Sequence, residues 1–202
     1  MSIKELFFNL LGEELSKEKF YRKGNKFLKK EGANEYIYNI DGSTGFLSFE
    51  PDFAILIESV EDIKKKAWGK SYRKFVSVGR TKRYLLPKEH SDQCWSWTDT
   101  EAAVYKAVSK EMQFYHSFLK QYYEQYSNIN FLDELLNSEP HEHRVIAYNN
   151  IQTSFLAVIV AYLTENSKLP ELIPFYKAVV QKFNKEYLPE FEMLEKHLNI
   201  KV

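Results

Sequence analysis

The apolar positions of this chain change their period from strand-like to helical partway along its length. Helical spacing between Ile3 and Leu15 predicts an opening amphipathic helix. Extended runs then predict strands at 27–30, 36–40, 46–49, 53–57 and 72–78. Because proline cannot donate to a strand ladder, Pro51 predicts an edge, a bend or a bulge between the third and fourth of these runs.

Beyond residue 97 the apolar positions keep a helical period to the end of the chain. Thr98-Asp99-Thr100-Glu101 has the form of a capping box and predicts the start of a long helix. Further helices are predicted at 131–136, 145–163 and 174–198, the last of them broken or kinked by Pro189. Strands early and helices late are typical of an α+β fold. We predict one α+β domain over residues 1–202, with an N-terminal helix and small antiparallel sheet in 1–95 and a bundle of about four helices in 96–202.

Composition narrows the class of protein without indicating a reaction. A chain of 202 residues with 44% hydrophobic and 28% charged residues is typical of a soluble globular protein. Cys94 is the single cysteine, so no internal disulfide forms, and a reducing compartment, the cytoplasm, is predicted. The glycines form no phosphate-binding loop and the histidines no paired ligand spacing, so the sequence predicts no cofactor and no metal. No segment predicts a signal peptide or a membrane partner.

Charge is distributed unevenly along the chain, although its formal sum is zero. Between Lys64 and Lys88 lie ten Lys and Arg residues and no Asp or Glu, interleaved with aromatic residues. Residues 1–88 carry a formal charge of +6, and the remainder carries −6. This pattern predicts a binding site for an acidic macromolecule in the sheet-containing half. The predicted contact residues are Lys64, Lys65, Trp68, Lys70, Tyr72, Arg73, Lys74, Arg80, Lys82 and Arg83.

Three interpretations of this basic segment remain open. An acidic protein partner would be attracted by the cations and anchored by the aromatic and Arg side chains. Single-stranded nucleic acid would suit the same mixture, since cations follow phosphates and rings stack on bases. A solvated edge strand protected by lysine against aggregation needs no partner at all. The neutral total charge favours protein over nucleic acid.

The order of features also resembles a known family. The residues that carry the resemblance are Lys-Phe-Tyr-Arg-Lys-Gly-Asn-Lys-Phe-Leu at 19–28, Trp95-Ser96-Trp97-Thr98-Asp99, and Asn-Phe-Leu-Asp-Glu-Leu-Leu at 130–136. Over about residues 5–137 this arrangement resembles the bacterial proteins grouped as domain of unknown function family 4304. Some relatives of this kind lie in toxin and immunity gene neighbourhoods. The resemblance therefore implies an accessory or immunity-like role, with no catalytic residues to carry over.

Two alternatives to partner binding also follow from the sequence. Pro51-Asp52 and Asp62-Ile63-Lys64 match the PD and D-x-K elements of restriction-type nucleases, in which the carboxylates hold Mg²⁺ and the lysine helps to activate water. Such a site requires a strand, whereas 61–66 resembles a helix or a turn. The aromatic-rich helical half would instead suit a scaffold that dimerises. We expect binding and not catalysis, and the sequence leaves the oligomeric state open.

Overall fold

The computed structural model describes residues 1–42, 48–69, 77–85 and 96–199. In chain order its elements are α1 (Ile3–Lys17), β1 (Tyr21–Lys23), β2 (Lys26–Glu31), β3 (Asn34–Gly42), β4 (Ser48–Leu56), α2 (Glu58–Trp68), β5 (Val78–Thr81), α3 (Lys82–Leu85), β6 (Ser96–Trp97), α4 (Glu101–Phe114), a π-helical turn (Tyr115–Leu119), α5 (Lys120–Tyr126), α6 (Ile129–Asn137), α7 (Asn150–Leu163), α8 (Leu169–Asn184), a 3-10 turn (Lys185–Tyr187) and α9 (Leu188–His197). The α+β prediction is confirmed, with an N-terminal helix, an antiparallel sheet and a helical C-terminal region.

The chain divides into two compact units, and neither is a continuous segment. Unit 1 comprises 1–54 and 80–124, and unit 2 comprises 55–79 and 125–202. Each unit is therefore built from one piece of the strand-rich region and one piece of the helical region.

The sheet has the strand order β1-β2-β3-β4-β5, and β6 pairs with β4. β2 and β3 form the predicted antiparallel hairpin, with Gly32 in its turn at φ 59°, a conformation that glycine adopts without strain. β1 extends this hairpin on its outer side and pairs antiparallel with β2 alone among the described strands. β5 begins at Val78, so most of the strand predicted at 72–78 lies outside the described residues.

The core of unit 1 lies between one face of the sheet and the helices α1 and α4. Phe7 of α1 contacts Phe49 of β4, with ring centroids 4.6 Å apart. Phe53 of β4 stacks on Phe114 of α4 at 5.4 Å. All four side chains are buried. Because side chains alternate along a strand, Phe49 and Phe53, four residues apart on β4, lie on the same face.

Two helix starts in unit 1 follow from capping side chains. Ser2 accepts a hydrogen bond from the backbone N–H of Glu5, as the predicted first helix requires. The long helix begins two residues later than the Thr98 capping box predicted, because Thr100 is the cap and accepts from the N–H of Ala103. Thr98 is instead fully buried ahead of the helix.

The two runs predicted on either side of Pro51 belong to one strand, and the edge, bend or bulge at Pro51 stays a prediction. β4 runs without a break from Ser48 to Leu56, and Pro51 is a buried residue within it. Proline's fixed φ is compatible with an extended backbone, so it removes one hydrogen-bond donor without ending the strand.

Unit 2 is organised around α7, whose middle is apolar on every side. Ten of its fourteen residues are buried, a pattern typical of a helix enclosed by neighbours. Phe155 of α7 contacts Trp68 of α2 at 5.3 Å and Phe191 of α9 at 5.7 Å. The start predicted at residue 145 is wrong, since α7 begins at Asn150, where the Asn149 side chain caps the helix by accepting from the Gln152 N–H.

The C-terminal helical segment is interrupted, as the sequence predicts. α8 ends at Asn184, a 3-10 turn follows, and Pro189 lies in the first turn of α9, where a missing N–H costs nothing. The helix predicted at 131–136 is present as α6. In the described parts of the chain, no helix is both long and apolar enough to cross a membrane.

Candidate binding surface

Half of the predicted contact residues lie where the structure gives no side-chain description. Lys70, Tyr72, Arg73 and Lys74 lie outside the described residues, and Arg83 has a described backbone only. The other five are Lys64, Lys65, Trp68, Arg80 and Lys82. Their environments differ sharply.

The prediction that Lys64 belongs to the binding surface is wrong, because this residue is buried on helix α2. Its Nζ lies 2.7 Å from Oε1 of Glu61, one helical turn earlier, and both side chains are about 5% exposed. The same Glu61 oxygen accepts from the Ser77 hydroxyl at 3.1 Å. Burial lowers the pKa of Lys64, while the negative charge of Glu61 opposes that shift. This cation is therefore neutralised inside unit 2 and is not presented to a partner.

Lys82 is a second correction, for the same physical reason. It is 2% exposed, and its Nζ lies 2.8 Å from Oε1 of Glu111, a residue with no exposed surface. The hydroxyl of Tyr38 donates to the other oxygen of Glu111 at 2.6 Å. Burial and the charge of Glu111 raise the pKa of Tyr38 well above its ordinary value. We call Tyr38, Lys82 and Glu111 the buried triad of unit 1.

Trp68 is the third correction, since it belongs to the core of unit 2 and is only 6% exposed. Its indole N–H donates to the backbone carbonyl of Glu190 at 2.9 Å, and its ring packs edge-on against Phe155. A tryptophan whose polar atom is satisfied and whose ring is enclosed offers no anchor to another molecule.

Lys65 and Arg80 keep some accessibility. Lys65 is exposed and pairs with Asp62 at 3.2 Å, a surface contact between residues three apart on α2. Arg80 is half-buried on β5 and has an interaction of its own. Neither is an uncommitted cation.

The acidic residues of the nuclease hypothesis have other partners. Asp52 accepts from the Asn39 amide at 3.0 Å within unit 1. Asp62 and Lys64 lie on a helix, as the sequence suggested, and not on the strand that such a site requires. Within the described ranges, no group of three His, Cys, Asp or Glu side chains is placed to hold a metal ion.

A basic surface that the sequence analysis missed lies on the β1-β2 hairpin of unit 1. Tyr21 is opposite Leu28, and Lys23 is opposite Lys26. Because side chains alternate along a strand, these positions and Lys30 share the face of the sheet opposite to α1 and α4. We call Tyr21, Lys23, Lys26 and Lys30 the hairpin surface. All four side chains are exposed.

The three lysines of the hairpin surface have no described ion pair, although Lys30 lies opposite Glu35 of β3 in the register. By contrast, Lys29, on the other face of β2, pairs with Glu31 at 2.8 Å. Lys23 and Lys26 are directly opposite each other in the register, an arrangement that destabilises a sheet because like charges repel. At Lys23 and Lys26 the fold therefore holds two positive charges together on its surface.

Arg22 holds this hairpin against α1 from the inner face. Its guanidinium donates to Oδ1 of Asn9 at 3.1 Å and lies 4.5 Å from the centroid of the Phe8 ring. Its Nε donates to the carbonyl of Gly24, which lies in the turn at φ 63°. These contacts restrain the hairpin, so the outward side chains start from a fixed backbone.

A signal for the hairpin surface was present in the sequence. Residues 17–30 contain seven Lys or Arg residues and a single acid, Glu18. The run was overlooked because the basic stretch at 64–88 is longer. Distinguishing the two basic segments requires knowing which lysines pair with a carboxylate distant in sequence.

Comparisons with protein-family models, curated proteins and solved structures give no match for this chain.

Proposed function

We propose that this protein is a non-catalytic binding protein that recognises an acidic macromolecular partner through the hairpin surface of unit 1. The observation that carries the proposal is the Lys23 and Lys26 pair, two exposed like charges held opposite each other, neither with a described ion pair. A partner carboxylate between them would remove their repulsion and gain two charge-assisted contacts.

The restrained backbone supports the same proposal. Binding is weakened when side chains and loops must be ordered, so a hairpin already held by Arg22 loses less entropy than a mobile loop would. Exposed cations also accelerate encounter with an acidic partner, an effect that falls with ionic strength.

Protein is favoured over nucleic acid as the partner because the formal charge of the chain is zero. Nucleic-acid-binding domains carry a strong positive excess. An accessory or immunity-like role, implied by the family resemblance, would then be exercised by docking on the partner. Lys65 and Arg80 remain predicted contacts, together with Lys70, Tyr72, Arg73, Lys74 and Arg83.

The test is affinity capture by the full chain, with a variant that removes three charges and keeps the side-chain stems. Lys23→Gln, Lys26→Gln and Lys30→Gln are combined. The control combines Lys106→Gln, Lys185→Gln and Lys196→Gln, which are exposed lysines with no described ion pair and the same change in net charge. We expect the wild type and the control to retain an acidic protein after nuclease treatment. Three surface ion pairs are worth roughly 0.6–3 kcal/mol together, so the hairpin variant should bind about 3- to 150-fold more weakly.

Two results would overturn the proposal. Equal retention of the partner by the hairpin variant would show that these lysines do not contact it. Recovery of nucleic acid alone, with no protein surviving nuclease treatment, would identify the wrong class of partner.

A further inference from the structure

The hairpin surface has a regular spacing of charged and apolar positions. Along β2, Lys26, Leu28 and Lys30 face the same way. Two residues of a strand span about 6.6 Å, so the Cα atoms of the two lysines are about 13 Å apart. The position between them is apolar, and its exposed member is Tyr21 of β1, which is opposite Leu28 and 50% exposed. Basic positions therefore lie on both sides of one aromatic ring: Lys23 and Lys26 on one side, and on the other Lys30, which is opposite Glu35 of β3 in the register.

We infer that the partner presents an extended acidic peptide segment, with two carboxylates four residues apart and an apolar side chain midway between them. This inference rests on the proposed function and adds to it the shape of the ligand. In an extended peptide, residues two apart face the same way and advance by the same 6.6 Å or so as the rows of the hairpin. The first carboxylate would meet Lys23 and Lys26, the apolar side chain would cover Tyr21, and the second carboxylate would meet Lys30.

Other occupants fit this spacing less well. A docked helix buries an apolar stripe along its length, whereas this face offers one exposed ring between charged rows. A single nucleic-acid strand carries a phosphate at every nucleotide, and the middle row has no cation to meet one. Stacking of successive bases also needs several aromatic platforms.

The experiment measures binding of two synthetic peptides of identical composition to the full-length protein. One contains the spaced sequence Asp-Thr-Val-Thr-Asp, and the other the clustered isomer Asp-Asp-Val-Thr-Thr, each flanked by glycines and blocked at both ends. An oligothymidylate is the third probe. Titrations followed by amide chemical shifts would locate the binding site as well as its affinity.

We expect the spaced peptide to bind about five times more tightly than its isomer, with shifts at Lys23, Lys26 and Lys30. Lys30→Gln should abolish this preference, since it removes the cation that the second carboxylate meets, and Tyr21→Ala should weaken the binding of both peptides. Tyr105→Ala is the matched control, since Tyr105 is equally exposed, at 53%, on α4 of the same unit. It should leave the binding of both peptides unchanged.

The outcomes separate this inference from the proposed function. Equal binding of the two peptides, lost in the triple Gln variant, would overturn the spacing and leave the acidic partner in place. Lysine-dependent capture of an acidic protein with no peptide binding would also overturn it, in favour of a folded acidic surface. Tighter binding of oligothymidylate than of either peptide would overturn both. So would the absence of any binding that depends on the hairpin lysines.

Discussion

Lysines in two regions of unit 1 have opposite surroundings. Lys82 is enclosed, with Glu111 at 2.8 Å, while Lys23 and Lys26 face each other in the open with no described acidic partner. An isolated buried charge costs several kcal/mol, so a buried lysine requires a carboxylate, whereas water stabilises an exposed one. Counting charges along a sequence treats both kinds alike. Only the exposed kind can attract another molecule, and only the enclosed kind is needed for stability.

The variant with the largest expected effect on stability is Lys82→Met, which tests the contrast between the two kinds of lysine. It leaves Glu111 buried with the Tyr38 hydroxyl as its remaining described partner in the triad, so we expect a loss of about 3–5 kcal/mol in the free energy of unfolding. Urea unfolding followed by circular dichroism would measure it. Lys106→Met, at an exposed position of α4, is the control and should change stability by less than about 0.5 kcal/mol.

A compensated variant shows whether the cost comes from breaking the buried ion pair. Combining Lys82→Met with Glu111→Leu and Tyr38→Phe replaces the triad by apolar groups of similar size. Such replacements are often neutral or stabilising, so we expect most of the lost stability to return. A loss below about 1 kcal/mol in Lys82→Met alone would show that Glu111 finds another partner or water, and would remove the contrast between the two regions.

A second prediction concerns alkaline pH. Tyr38 has its pKa raised by burial beside Glu111, so above about pH 10 an unfolded chain releases this proton and the folded chain keeps it. The folded state then binds more protons, and stability falls as pH rises, by about 1.4 kcal/mol per pH unit for one group. We expect Tyr38→Phe to make the fall above pH 10 less steep by about that amount.

Urea unfolding at pH 9, 10 and 11 would measure this slope, with Tyr105→Phe as the control at an exposed position. If Tyr38→Phe and the wild type lose stability in parallel over this range, the hydroxyl is not held protonated in the triad.

Much of the fold could be predicted because its signals are local. Helix α1 and the β2-β3 hairpin around Gly32 follow from spacing and turn residues within a few positions of each other. β1 has three residues and was missed, since a run so short shows no period. The start of α7 was misplaced because residues 145–149 are mostly apolar, while the cap that begins the helix is Asn149.

The sequence indicated what kind of site to expect, but not where the site lies in the fold. A basic surface was expected, but its location depends on pairings that span the sequence. Lys82 is neutralised by Glu111, 29 positions away. Lys64 pairs with Glu61, only three residues away, but the charge count over residues 64–88 did not include that glutamate. Burial decides which charges remain at the surface, and burial is a property of the fold.

The smallest expected effect gives the sharpest test of the exposed lysines. Lys23→Glu turns the repulsion across the hairpin into an attraction, since residue 23 faces Lys26 in the register. We expect the free energy of unfolding to rise by roughly 0.2–1 kcal/mol, and binding of the acidic partner to weaken at the same time. Lys23→Gln, which removes the repulsion without adding an attraction, should fall between the wild type and Lys23→Glu in stability. A variant that gains stability and keeps full affinity would mean that the like-charge pair has no role in binding. One that gains stability and loses affinity would show that this fold retains a local repulsion because its partner requires both lysines.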